Sequence, residues 1–590
     1  MLWDALKFAY ESISWIRNNF LTFLIMAVIG ISLWWKMLIS QQADGIQKSL
    51  PVEPDVEIDG DKKDAKKKAP EPVPAPAQEV TFAALTRKAL TSPATLLKEA
   101  AELGVYHVKW IMAAPLVVAA SPNIATVVLS EKFHCNRHAY NTDPKGTLSQ
   151  QGDEHAKSHA LLVKIFADST LTDSLIAQLQ SRLASETLPE LTEAASSKEN
   201  LDLLPVFEEL WVDVVALWIL GVPTPAELLL SGTSSEVQLQ QTKRRERLVE
   251  ARRCLANLTF VLPTGYAWYF DRLRENVPFT EYFPLPGFRE YLARRNGKTK
   301  ARKIVFEEYK AMATEYNEHG TIRGGLAGAL LKETIAALPE GKVLDDAAWQ
   351  KIYVELEGIQ TTAQMPLFSI VPHLLFLLAH SPTNQKLVMA EISKVNSKTS
   401  LTVKHVSAMT NLNACLLEAL RLCPPQAVSY NRTSSQNAYK LPGQWTFPKN
   451  AHIAIDLLST MRDREAFGKD SNSFSPSRFS SFQYTPTDQI SKVDAIKSLK
   501  SAIENQPPTQ QSAFIPFGSG TYACPAQKLA LDVCKIAVAE VLRKFELVAV
   551  KGRESVDATE IVEDMDEFVY QQSGVLRHAD GAPVAVKKRK

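Results

Sequence analysis

Cysteine is scarce and unpatterned in this chain: six residues among 590 (Cys135, Cys254, Cys415, Cys423, Cys524 and Cys534), with no Cys-x-x-Cys pair and no regular framework. This argues against a secreted, disulfide-built scaffold and fits free thiols in a reducing compartment. An excess of charge of either sign is also missing. The 66 Lys and Arg residues stand against 65 Asp and Glu, a formal charge of +1. That balance argues against a nucleic-acid binder with a broad basic face. Apolar residues make up 45% of the chain, enough to build one large core or several small ones.

Residues 20–39 form a mostly apolar run in which Lys36 is the single charge. About twenty such residues span a bilayer as a helix. Trp34 and Trp35 fall where an aromatic interfacial belt would lie, and Lys36 can snorkel outward. The run is long for a cleavable signal peptide, and Lys36-Met37-Leu38-Ile39-Ser40 is a poor cleavage site. The expectation is a retained transmembrane anchor at 20–39. Residues 1–19, with Leu2, Leu6, Ala9 and Ile13 near one stripe, would lie on the membrane surface, although an ordinary amphipathic helix end explains them equally well. Lysines at 48, 62, 63 and 66–68 follow the run, against Lys7 and Arg17 before it, so the large domain is expected in the cytosol. Residues 40–80, rich in Pro, Lys, Asp and Glu, read as a disordered linker. The domain proper is expected over 81–560, followed by a C-terminal tail over 561–590 whose last residues, Val584 to Lys590, are basic.

Within the domain the pattern is mainly helical with short strands. Pro115–Ala120 fits a buried strand, and Pro205–Trp218 a buried helix stopped near Gly221-Val222-Pro223. The run from Lys243 to Arg247 is expected to open a strongly charged helix, and Pro284–Gly287 is a breaker. Residues 480–512 are polar and rich in Ser, Gln and Lys, as an inserted surface loop would be.

The chemistry-bearing signal is the run Phe514 to Pro525, which contains Phe517-x-x-Gly520-x-x-x-Cys524 and is followed by a helix-like segment from Gln527. Glycines let a backbone pass close to a flat ligand and turn its N–H groups toward a sulfur. A thiolate facing a helix start is stabilised and could ligate haem iron. A buried free cysteine behind a tight turn is the plainer alternative. Three further landmarks stand upstream in order: Gly358-Ile359-Gln360-Thr361-Thr362, then Glu418-Ala419-Leu420-Arg421 with Cys423-Pro424-Pro425 after it, then Phe474-Ser475-Pro476-Ser477-Arg478-Phe479. Alone, Glu418 and Arg421 could be an ordinary surface pair at helical spacing.

Taken together, these motifs resemble those of the cytochrome P450 family, over roughly residues 105–547. The resemblance implies one mainly α domain with small β-sheets, behind the N-terminal transmembrane helix. It implies haem b held by Cys524 as axial ligand, with Phe517 and Gly520 in the haem-binding loop. Glu418, Arg421 and Arg478 would form a structural charge network, Arg432 would contact a propionate, and residues 225–320 would form the lid over the substrate pocket. Function would be monooxygenation of a hydrophobic small molecule (lipid, sterol or terpenoid-like), with electrons from NADPH through NADPH–cytochrome P450 reductase and with cytochrome b5 as a further partner. The place would be the endoplasmic reticulum membrane, single-pass, with the catalytic domain cytosolic.

The chain departs from the family pattern at several positions. Tyr522 stands where a basic residue is usual two before the cysteine, and Ala526 where glycine is preferred two after it. His155 and His159 keep the spacing of a Trp-x-x-x-Arg pair, so they are candidates for the propionates; helix-surface histidines and a zinc pair are the alternatives. Gln360, beside Thr361, replaces the acid of the proton relay, and a neutral amide cannot supply a proton as a carboxyl can. A haem-thiolate isomerase or dehydratase acting on a peroxide or oxime would need no such relay. A haem or lipid carrier without turnover is the third reading.

Overall fold

The computed structural model describes residues 71–72, 105–108, 116–129, 135–137, 146–147, 150, 152–222, 234–256, 288–339, 344–362, 365–426, 428–434, 439–440, 445–447, 452–480, 510–551, 568–570, 576–578 and 581–589. The anchor, the surface helix, residues 40–70 and 73–80 of the linker and residues 481–509 of the inserted loop lie outside them; within the expected disordered linker, Glu71 and Pro72 instead pair in parallel with Trp445 and Thr446. Among the described residues no helix is long and apolar enough to cross a membrane.

Ten helices frame the site: α1 (Pro122–Leu129), α2 (Gly152–Phe166), α3 (Leu203–Leu220), α4 (Ser235–Ala256), α5 (Phe288–His319), α6 (Asp346–Thr362), α7 (Met365–Ala379), α8 (Pro382–Ile392), α9 (Thr410–Leu422) and α10 (Gln527–Lys544). The main sheet has five strands. They are β1 (Val105–Val108), β2 (Leu116–Ala119) and β3 (Cys135–Arg137), joined by two strands from much later in the chain, β5 (Val428–Ser434) and β6 (His452–Asp456), in the order β1-β2-β6-β5-β3. A smaller sheet holds β7 (Phe545–Val548) and β8 (Pro583–Lys588), with β4 (Asn200–Asp202) on the other side of β8.

The core is built around α7. Ile370, Val371, Leu374, Leu375, Phe376 and Leu378 are all buried, so the helix is apolar all round, as a helix enclosed by others must be. It packs on α3, α9 and α10. α3 presents Phe207, Leu210, Trp211 and Val214, all essentially inaccessible. It stops where expected. Gly221 has φ +62°, and a Cβ there would stand 2.1 Å from the Gly324 carbonyl oxygen, so this turn admits only glycine.

Two expectations change. The charged helix opens at Ser235, not near Lys243. The last residues are not a tail outside the domain: β8 is hydrogen-bonded to both β7 and β4, and Ala582 and Val584 are fully buried. Its Val584 and Val586 alternate with outward residues at the strand period, a signal masked by the terminal lysines.

Candidate active site

The run from Phe514 to Pro525 folds as two linked turns. The Gly518 N–H donates to the Ile515 carbonyl at 3.0 Å, that of Ala523 to Gly520 at 3.0 Å, and that of Cys524 to Phe517 at 2.9 Å. Gly518 and Gly520 have φ of +73° and +70°, conformations that suit glycine. At Gly520 space is also limiting: a Cβ would stand 2.8 Å from the carbonyl oxygen of Leu129, the last residue of α1. The loop is thus seated on α1 by a backbone-to-backbone approach.

Cys524 is partly exposed, and the nearby Ala526 N–H favours its thiolate form. Burial nonetheless dominates and pushes the thiol's pKa up, with that N–H acting in the opposite sense. The expected stabilisation of a thiolate by the helix start is therefore outweighed in the free protein: α10 begins only at Gln527. Ala526 has φ −101°, which any L-residue adopts, so glycine is not required there. Three other cysteines differ in kind. Cys415, Cys423 and Cys534 are buried, and burial pushes their pKa values up to about 12, 11 and 12. They are unreactive packing residues.

The three residues that break the expected pattern on this side come together. His155 is 1% exposed, and its ring lies 4.4 Å from that of Tyr522. His159 is 5.4 Å from His155, ring to ring, and its Nε2–H donates to the Ala523 carbonyl at 2.8 Å. Both histidines hold the cysteine loop, a contact that spacing alone did not reveal.

Behind the loop, Phe514 meets Phe479 with ring centroids 5.0 Å apart, which ties it to the segment carrying Arg478. Glu418 and Arg421, three apart on α9, form a bidentate pair with both bonds at 2.8 Å, and neither side chain is accessible. Arg421 also donates to the carbonyls of Met461, Ser471 and Ser473, and its guanidinium lies 4.9 Å over the Phe467 ring. The Ser475 N–H donates to Glu418 at 3.0 Å, and Arg478 Nε stands 3.6 Å from the same oxygen. Arg478 spends its other donors on Phe467 and Asp470. α9 itself is started by Glu391 of α8, whose carboxylate accepts the N–H groups of Asn411 and Leu412 at 2.9 and 3.1 Å.

On the other side of the core, Gln360 is buried in the last turns of α6, and Thr361 follows it in the same helix. Arg432 lies on β5 opposite Ile453 of β6 and Arg137 of β3. Sequence reasoning missed two acids on α6. Glu355 accepts two hydrogen bonds from Thr147, and Glu357 is paired with Arg302 of α5. The available signal was the run Val354-Glu355-Leu356-Glu357: acids two apart on a helix point to nearly opposite sides, so both cannot face one solvated stripe.

Cytochrome P450 is the family whose model matches, over residues 270–571, just over half of the chain. A bifunctional cytochrome P450/NADPH–P450 reductase of Gibberella moniliformis is 27% identical over 45% of this chain, which spans only 21% of that protein. Cytochrome P450 CYP72A219 of Panax ginseng is 23% identical, with 74% of this chain and 76% of that protein aligned. Among solved structures, retinoic acid-bound cyanobacterial CYP120A1 superposes with a TM-score of 0.62 at 16% identity, over 88% of this chain and all of that one; this likeness concerns the fold alone. With the glycine-turned Cys524 loop, the buried Glu418–Arg421 pair and a family match over residues 270–571, this chain belongs to the cytochrome P450 family.

Proposed function

We propose that this cytochrome P450 is a haem-thiolate monooxygenase acting on a hydrophobic small molecule, with Cys524 as the residue whose sulfur would hold the haem iron. The observation that carries the reading is the cysteine loop itself. It holds one thiol, at Cys524, behind a turn in which a side chain at 520 would collide with Leu129, and the Cys524 N–H is tied back to the Phe517 carbonyl. Among the described residues no three of His, Cys, Asp and Glu converge as a metal site; a lone cysteine donor suits an iron whose other ligands come from a porphyrin. A thiol kept protonated by burial loses its proton when a metal cation takes its place.

When bound, the haem supplies activation of dioxygen, one atom entering the substrate and the other leaving as water with two electrons and two protons. The chain's residues bind and orient around it. Phe517 and Gly520 would shape the loop that holds the haem. His155, His159 and Arg432 would serve its propionates, with Arg432 the permanent cation among them. Thr361 would order a water with its hydroxyl, and Gln360 beside it would offer an amide in place of a carboxyl. Glu418, Arg421 and Arg478 keep α9 and the loop in register. Electrons would come from NADPH through NADPH–cytochrome P450 reductase, a supply suggested by the P450/reductase fusion of the Gibberella relative, with cytochrome b5 as a second donor. The run at 20–39 would anchor the chain in the endoplasmic reticulum membrane, with the domain cytosolic.

The neutral, buried Gln360 favours one rival, an isomerase or dehydratase of a peroxide or oxime. The reduced protein with carbon monoxide should show the red-shifted absorbance of thiolate-ligated haem, Cys524→Ala should abolish it, and Arg432→Ala should lower haem retention. Absence of that band in the wild type refutes the assignment. Oxidation of a lipid or terpenoid panel dependent on NADPH and reductase supports monooxygenation. Turnover of a lipid hydroperoxide without reductase supports the rival, and no turnover at all a carrier.

A further inference from the structure

Thr147 lies against α6 although 208 residues separate it from its partner. Its backbone N–H and its hydroxyl donate to the same oxygen of Glu355, at 2.8 and 2.6 Å. Both residues are 6% exposed, so these are charge-assisted bonds shielded from water. The fit is flush, since a Cβ at Gly146 would stand 2.8 Å from Val354 Cγ1. The segment closes on itself, with the Gln150 N–H donating to the Gly146 carbonyl at 3.0 Å. Gln150 is followed two residues later by Gly152, which opens α2. α2 then places His155 on the Tyr522 ring and His159 on the Ala523 carbonyl. Contacts on either side of this short stretch of chain therefore link α6, five residues before Gln360, to the residue that precedes Cys524.

We propose that the Glu355–Thr147 contact is a positioning latch. It fixes the start of α2 and, through His159, sets the loop that presents Cys524. Its consequence for haem rests on the haem-thiolate reading above; the latch itself does not. A buried carboxylate stripped of its donors is costly, so the contact is either made or replaced by water, and α2 transmits the outcome as a rigid element. Movement of α6 at Val354–Glu355 is then felt on the sulfur side of the core.

The test uses the full-length protein as isolated, with amide hydrogen exchange over residues 518–524 and the rate of haem loss to apomyoglobin as readouts. Glu355→Ala should raise both rates about tenfold, the scale seen when outer partners of a metal ligand are removed. Glu355→Gln retains an oxygen able to accept both bonds and should stay within about twofold. Thr147→Val keeps the N–H and should fall between; it carries the test if Glu355→Ala does not fold. In a His159→Ala background the effect of the latch variants should shrink, because the link to Ala523 is already cut. Faster exchange confined to residues 146–152 and 351–358, with 518–524 unchanged, overturns the latch, as does full additivity with His159→Ala. A wild type lacking the thiolate-haem band refutes the haem assignment instead, and exchange at 518–524 still decides the latch.

Discussion

Arg421 and Arg247 both face a carboxylate. The first does so where neither partner is accessible, the second with 58% of its own side chain and 46% of Glu307's exposed. Around Arg421 the structure supplies a bidentate acid, three backbone carbonyls and an aromatic ring. Around Arg247 one bond to Glu307 joins α4 to α5, and water can serve the remaining donors. Burial of an ion therefore goes with near-complete satisfaction of its hydrogen-bonding capacity. Asp456 stands between these extremes. It is wholly buried; one oxygen caps the turn after β6 by accepting the Ser459 N–H at 3.0 Å, while the other has no partner among the described residues.

The sharpest way to break the comparison is to remove one partner of the closed pair. Arg421→Ala would leave Glu418 charged in a dry site and three carbonyls without a donor. The expected loss is about 3–5 kcal/mol, read from urea unfolding or from collapse of the soluble yield. Leucine at both 418 and 421 should not recover the loss, because the carbonyls of Met461, Ser471 and Ser473 would stay unpaired. Recovery would mean that the pair, and not the carbonyl contacts, sets the stability of this region.

Spacing alone put Glu418 and Arg421 on one helix face, while the structural network that joins them to Arg478 was legible through the family resemblance. The cysteine loop was legible locally as a glycine turn before Cys524, since Gly518 and Gly520 take positive φ, and as a haem loop through the same resemblance. Contacts between distant segments were not legible. Nothing in the spacing of His155 and His159 says that one would hold the Ala523 carbonyl, and nothing local joins Thr147 to Glu355. β8 was hidden by composition: its alternation spans only six residues and ends in lysines that mimic a solvated tail.

Asp456 sharpens the comparison through pH. Burial pushes its carboxyl from the ordinary range up to about 7, against the opposing pull of the Ser459 cap. In the unfolded chain the group ionises near 4. Between those values the folded state holds a proton that the unfolded state has lost, so stability falls as pH rises from about 4 to 7 and levels off above. The ceiling on this effect is about 4 kcal/mol. Asp456→Asn keeps a good cap without a charge. It should raise the melting temperature at pH 8 relative to the wild type and flatten the decline between pH 5 and 8. A decline of unchanged slope would assign the pH dependence to another group.

The smallest effect is expected at the open end of the comparison. Arg247→Ala removes a surface pair whose Coulomb attraction is screened by water and salt and opposed by the side-chain entropy of holding two long chains together. Stability should change by less than about 1 kcal/mol, and the change should shrink further in 1 M salt, where the Debye length is about 3 Å. Arg244, three residues earlier on α4, provides the internal control. It is bonded to Glu308 at 2.8 Å with 21% and 13% of the two side chains exposed, and Arg323 shares the same acid at 3.4 Å. Arg244→Ala should therefore be more harmful than Arg247→Ala and less sensitive to salt. If the two variants lose equal stability with equal salt dependence, the degree of closure around a guanidinium is not what decides its worth here.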